Sequence, residues 1–242
     1  MVSKEFKGRF KNTILGYFWH LLNPLSQIFI YLLIFTVIFG NGIPNYWVYI
    51  SCGMFAFSFF QSTTSGSSTC IIINANLVTK MAIAKEIIVI SKMISNLLTL
   101  TISYCLLFIL MIISGANITL NILWTPIIII LLSVFSLGVS FVLCSITVYV
   151  RDISNAANIL FGCLLFALPI IYTTSVRSND LLKIVWHADP LFYYIESIHD
   201  VFYSGVAINL SYLAICIVSS FLMLIVGLVI FKQLERGFAE RL

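Results

Sequence analysis

Hydrophobic positions along the chain form long unbroken runs. Stretches free of Lys, Arg, Asp, Glu and His occupy residues 21–40, 46–68, 93–114, 124–149, 155–174 and 210–231. About twenty residues at a rise of about 1.5 Å cross a hydrocarbon layer about 30 Å thick, so each run predicts a transmembrane helix. Barrel strands would show segments of about ten residues alternating in polarity, and these runs are too long and too uniformly apolar for that. The pattern predicts an all-α integral membrane protein with six transmembrane helices, one membrane domain filling residues 1–242.

Two segments outside the runs are amphipathic. In residues 1–20, Phe6, Phe10, Ile14 and Phe18 share one helical face while Lys4, Lys7 and Lys11 share another, which predicts an N-terminal interface helix lying along the membrane surface. Asn23-Pro24 then reads as N-cap and first turn of the first span, with a bend between the two helices. Residues 175–209 form the one sizeable loop opposite the termini. Within it Asp189-Pro190 reads as N-cap and first helical position. Leu191, Ile195, Ile198 and Phe202 line one face, and Gly205 supplies a stop. Such a helix is too short to span, so it predicts a re-entrant or dipping amphipathic element, with Glu196, His199 and Asp200 toward water or a partner.

Charge orients the chain. Of 13 Lys and Arg, eleven fall in the N-terminal segment, the loops after the second and fourth runs and the tail, against Arg177 and Lys183 on the other side. The positive-inside rule places both termini in the cytoplasm. The net charge of +4 is then a topology signal rather than an affinity for nucleic acid. The first run lacks a signal-peptidase-like site and is read as an uncleaved helix. The six cysteines lie in or beside the runs without a C-x-x-C pair, as small packing residues.

Chemistry is sparse. No predicted span holds an ionisable side chain, whereas ion-coupled transporters usually bind their coupling ion on one. There is no G-x-x-x-x-G-K-[ST], H-E-x-x-H or G-x-S-x-G, so catalytic residues, metal ligands and a cofactor bound by this chain are not expected, and energy for transport should come from another polypeptide. The run "QSTTSGSST", residues 61–69, fits close helix packing or a polar wall along a translocation path. Tyr46, Trp47 and Tyr49 fit an aromatic belt at the membrane boundary. Tyr31, Phe35, Phe57 and Phe60, with Gln61 and Ser65, are candidates for a carbohydrate path because sugar faces stack on aromatic rings.

Five segments, in order along nearly the whole chain, carry a resemblance: "FKGRFKNTILGYFWHLLNPL", "NANLVTKMAIAKEI", "VRDISNAANILFGCLLFALPIIY", "ADPLFYYIESIHDVFYSG" and "FKQLERGFAERL". Together they resemble the type-2 ABC exporter permeases that move lipid-linked polysaccharides such as O-antigen, capsule and teichoic acid. The sequence departs from that pattern at Ile83-Ala84, Phe166-Ala167-Leu168-Pro169, Asp189-Pro190 and His199, where the family often has Phe-Pro, Trp-x-Ser-Pro, Asn-Pro and Arg.

The resemblance implies a homodimeric permease in a bacterial plasma membrane, bound to two copies of a separate ATPase that holds ATP and Mg. It implies that the N-terminal helix and the second loop rest on that ATPase, with Arg9, Lys80, Lys85 and Glu86 passing on closure of the nucleotide sites. Arg151-Asp152 would match the family's cytoplasmic Arg-Asp pair, or serve as interface anchor and N-cap. The helix carrying Asp189, Pro190, Glu196 and His199 would be an external gate. A permease for a drug or simple lipid, and a non-transporting membrane scaffold, are the alternatives.

Overall fold

Pro169 ends a helix that apolarity alone would continue. Residues 155–174 read as one span, yet the helix there covers Asp152–Ala167 and stops at Leu168, whose ψ of 150° is extended. Pro169 disfavours helical backbone at the residue before it and lacks an amide N–H. The structure, a computed structural model, describes residues 19–34, 45–75, 84–116, 118–172 and 180–241. Arg9, Phe35, Lys80, the N-terminal amphipathic pattern up to Phe18 and the end of the first predicted span lie outside the described residues.

The described elements are helical. Helix α1 is Trp19–Leu33 and runs through Asn23-Pro24 in its second turn, so no break stands where a bend was expected. Helix α2, Tyr46–Ser68, is followed by the single turn α3, Cys70–Ile73. Helix α4, Glu86–Ser114, starts a full two turns before its apolar run. A 3₁₀ turn at Leu120–Trp124 leads into α5, Thr125–Tyr149, which has proline in its first turn. Helix α6 is Asp152–Ala167, α7 is Asp180–Ala188 and α8 is Pro190–His199, continued by a π-helical turn to Ser204 and ended at Gly205. Helix α9, Leu210–Leu234, passes through the 3₁₀ turn Glu235–Gly237 into α10, Phe238–Arg241.

Among the described residues three helical stretches are long and apolar enough to cross a membrane: Glu86–Ser114, Leu120–Tyr149 and Leu210–Gly237. Helix α2 has the length, but its polar second half lowers its mean hydropathy, and α6 has 16 residues. Despite that polarity α2 is the central helix, buried along most of its length between α4, α5 and α8.

The closest pairing is α5 with α9. Gly138 and Gly227 meet there so tightly that a Cβ on Gly227 would lie 2.3 Å from the Gly138 carbonyl oxygen. Small residues let two backbones approach in this way where lipid offers no hydrophobic drive for association. The core divides in two: a large cluster around α2 and α8, and a smaller one at the tail end formed by Cys70, Ile71, Ile88, Val89, Phe141, Cys144, Val148, Phe231 and Phe238. Outward faces carry bare apolar side chains, among them Ile113, Ile159 and Phe221, as lipid-facing or subunit-facing surfaces do.

Candidate functional site

At the end of the bundle that holds the C-terminal tail, the start of α4 meets the end of α9. The Lys85 ammonium donates to the Glu235 carbonyl oxygen at 3.1 Å, lies 3.7 Å from Glu235 Oε1, and sits 5.5 Å from the centroid of the Phe238 ring. Lys232 pairs with Glu86 and reaches Glu235 Oε2 at 3.5 Å. The two sequence neighbours Lys85 and Glu86 thus face two opposite charges one helical turn apart on the tail.

Apolar packing holds this arrangement in place. Phe238 is fully buried and stands edge-on to Phe231, which is edge-on to Phe141. The Tyr149 hydroxyl donates to the Leu234 carbonyl at 2.9 Å, and the Arg241 guanidinium lies 5.9 Å from the Tyr149 ring centroid. Arg151 and Asp152, at the start of α6, are exposed to solvent. The ionic roles of Lys232 and Glu235 were missed in the sequence. Their i,i+3 spacing and the seven-residue spacing of Phe231 and Phe238 are the only local signals, and both need a distant partner to gain meaning.

At the opposite end α8 is wedged into the bundle. Asp189 caps it by accepting from the Leu191 amide at 2.9 Å, with Pro190 at the first helical position as the sequence predicted. Tyr194 is fully buried, and its hydroxyl donates to the Cys216 carbonyl at 2.8 Å with the Ser219 and Ser220 hydroxyls at 3.0 and 2.6 Å. Tyr104 donates to the Cys52 carbonyl at 2.8 Å and stacks on Phe202.

His199 corrects an expectation. It does not face water: it is 2% exposed, and its ring stacks on Tyr49 with centroids 3.9 Å apart. Gly53 makes room for it, since a Cβ there would lie 2.6 Å from His199 Nε2. Neither ring nitrogen has a hydrogen-bond partner, and Glu196 Oε2 stands 3.7 Å from Nδ1. Tyr49 is itself held, its hydroxyl 2.9 Å from the Pro169 carbonyl and 3.0 Å from that of Tyr172. Burial pushes the Asp189 carboxyl above the usual range, opposed by the Leu191 amide. Burial, then the charge of Glu196, pushes Asp200 up as well, with His199 opposing.

Between the two ends, most of the hydroxyl run on α2 serves packing. Thr63, Thr64, Ser67 and Ser68 are buried. Asn96 on α4 donates to Thr63 Oγ1 at 3.1 Å, Ser140 on α5 donates to the Thr63 carbonyl at 3.4 Å, and Thr64 bonds back to the Phe60 carbonyl. Gln61 and Ser65 stay half-buried, with Ser65 donating to Asn158 Oδ1 on α6 at 2.5 Å. Phe57 and Phe60 lie inside the chain's own core, Phe60 against Phe135 and Phe161. Tyr31 lies on α1, and its side chain is outside what the structure describes.

Known proteins share this sequence pattern. Residues 1–203 match the family described as ABC-2 type transporter. The chain is 28% identical over 241 residues, 99% of its length and 92% of the relative's, to an O-antigen export system permease protein RfbA of Klebsiella pneumoniae. A second Klebsiella pneumoniae protein of that name matches at the same identity and coverage. A Myxococcus xanthus protein, also named O-antigen export system permease protein RfbA, is 25% identical over 204 residues, covering 84% of this chain and 78% of its own. With a family match across more than four-fifths of its residues and long apolar helices to fit, the chain belongs to the ABC-2 type transporter family of membrane permeases.

Proposed function

We propose that this chain is the membrane-spanning permease subunit of an ATP-driven exporter that moves a lipid-linked, O-antigen-like polysaccharide across a bacterial plasma membrane. The observation that carries this reading is similarity along 99% of the chain to permeases named for O-antigen export. The three long apolar helices and the bare apolar outer faces support a multi-pass membrane subunit. In this reading the chain has six spans, with α1, α2 and α6 joining the three longest, and both termini cytoplasmic. Two copies form the pathway, and two copies of a separate ATPase bind ATP and Mg at the tail end.

The chain itself makes and breaks no covalent bonds. Arg9, Lys80, Lys85 and Glu86 belong to the surface that receives the ATPase, and Arg151-Asp152 lies beside it. Gln61, Ser65, Tyr31 and Phe35 offer hydroxyl, amide and ring surfaces to the glycan, while Phe57 and Phe60 stiffen the wall behind them. Helix α8, with Asp189, Pro190, Glu196 and His199, closes the outer end.

Deleting the gene and comparing surface with cytoplasmic glycan tests the function. Glycan accumulating inside with loss outside is the expected result. Unchanged surface glycan, with new sensitivity to an amphiphile, would replace this reading with the drug or simple-lipid alternative. ATP hydrolysis by the purified chain without a partner would also count against it.

A further inference from the structure

Helix α9 grips both functional ends. At its C-terminal end Lys232 and Glu235 hold Glu86 and Lys85, the residues where the second loop enters α4. This contact joins positions 150 residues apart in sequence. It sits on the separate tail-end core, in which Ile88 and Val89 of α4 pack with Phe231 and Phe238. Further along, Gly227 locks α9 against α5 at Gly138. Close to its N-terminal end, the Cys216 carbonyl and the Ser219 and Ser220 hydroxyls hold Tyr194 of α8. Cys216 and Ser220 stand roughly three to four turns before Lys232 on this one helix, so at about 1.5 Å per residue the two grips are roughly 20 Å apart.

We propose that α9 is the mechanical link between the ATPase-receiving loop and the external helix: the crossed pairs Glu86–Lys232 and Lys85–Glu235 take up displacement of the loop, and Tyr194 hands it to α8. This inference rests on the proposed function and adds residues to it. Lys232, Glu235 and Tyr194 are positioning residues that touch neither nucleotide nor glycan. The crossed charges fix both the position and the rotation of the tail on α4. Ion pairs at a surface contribute little to stability, but a reciprocal pair on a packed core specifies register.

The test uses the full chain copurified with its ATPase in lipid nanodiscs for ATP hydrolysis, and the deletion strain carrying each variant for export. Lys232→Glu lowers export about fivefold while hydrolysis by the copurified ATPase stays near that of the unaltered chain, and Lys232→Arg, which keeps the charge facing Glu86, exports within about twofold of it. Tyr194→Phe keeps the ring and removes the hydroxyl; it lowers export about fivefold while hydrolysis and thermal stability stay near those of the unaltered chain. Lys232→Glu exporting normally, or Tyr194→Phe exporting normally, overturns the link and leaves the proposed function standing. An unaltered chain that recruits no ATPase overturns both.

Discussion

The imidazole of His199 lies nearly parallel to the ring of Tyr49, tilted by 23°, and fills the space above Gly53. This contact fixes one point of the packing of α8 on α2. It depends on a missing side chain on one helix and a flat ring on the other. Because Tyr49 is also bonded to carbonyls at Pro169 and Tyr172, the backbone break after α6 belongs to the same assembly. Tyr49 thus ties both α8 and the segment after α6 to α2.

Gly53→Ala puts a methyl group where His199 Nε2 now lies, and the buried, stacked ring cannot swing aside cheaply. The expected cost is about 1–3 kcal/mol, as for other overpacked cores. It should appear as a lower unfolding midpoint in detergent. Adding His199→Ala should recover part of that loss, because the two changes act on one contact. Strictly additive effects would show that the glycine and the histidine are independent.

The α5–α9 crossing is less forgiving. A Cβ on Gly227 would meet the Gly138 backbone, which has no rotamer to change, so Gly227→Ala must push the helices apart. About 3 kcal/mol or more is expected, with poor recovery of folded protein. Gly162 on α6 is the control, for a Cβ there meets nothing within 4 Å. Gly162→Ala should stabilise the chain by up to about 1 kcal/mol by limiting the unfolded backbone and favouring helix.

Much of the helical layout was legible because a membrane span needs only length and apolarity. The runs at 46–68, 124–149 and 210–231 coincide closely with helices Tyr46–Ser68, Thr125–Tyr149 and Leu210–Leu234. What was not legible depends on partners far away in sequence. Residue type placed His199 toward water or a partner, and the gap at Gly53 with the face of Tyr49 accounts for its burial. Lys85 and Glu86 read, through the resemblance, as resting on another chain, and their pairing with Glu235 and Lys232 of the tail was not legible in the local sequence. The polar run on α2 left packing and a path open as alternatives; Thr63, Thr64, Ser67 and Ser68 are buried in packing, while Gln61 and Ser65 are half-buried.

Phe238 is the hinge pin of the tail end. Its ring is fully buried against Phe231 and beneath Lys85, so Phe238→Ala removes the floor under the ionic contacts as well as a large apolar surface. A loss of about 3–5 kcal/mol is expected for a ring of this burial. Phe238→Leu should cost less than half as much. Protease cleavage within residues 232–241 of detergent-purified protein, faster in the alanine variant than in the leucine one, is the measurement. Equal cleavage rates for unaltered, leucine and alanine forms would mean that the ring does not hold the tail.

Asp200 is expected to make the α8 end of the bundle respond to pH. Burial, then the Glu196 carboxylate, raises its folded-state pKa above the ordinary value, against the lowering from His199. A carboxyl with a raised folded pKa binds its proton more tightly in the native state. Its contribution to stability is therefore present below the unfolded pKa of about 4 and is lost as pH rises through the folded value. At neutral pH the native protein carries an ionised group in a site that disfavours charge. Asp200→Asn removes that burden, so the variant should unfold at a higher temperature than the unaltered chain near pH 7, with the difference shrinking as pH falls toward about 4. Unfolding midpoints of both proteins across that range decide the matter. A difference that grows on acidification would mean that the aspartate gains more from its neighbours as an anion than burial costs it.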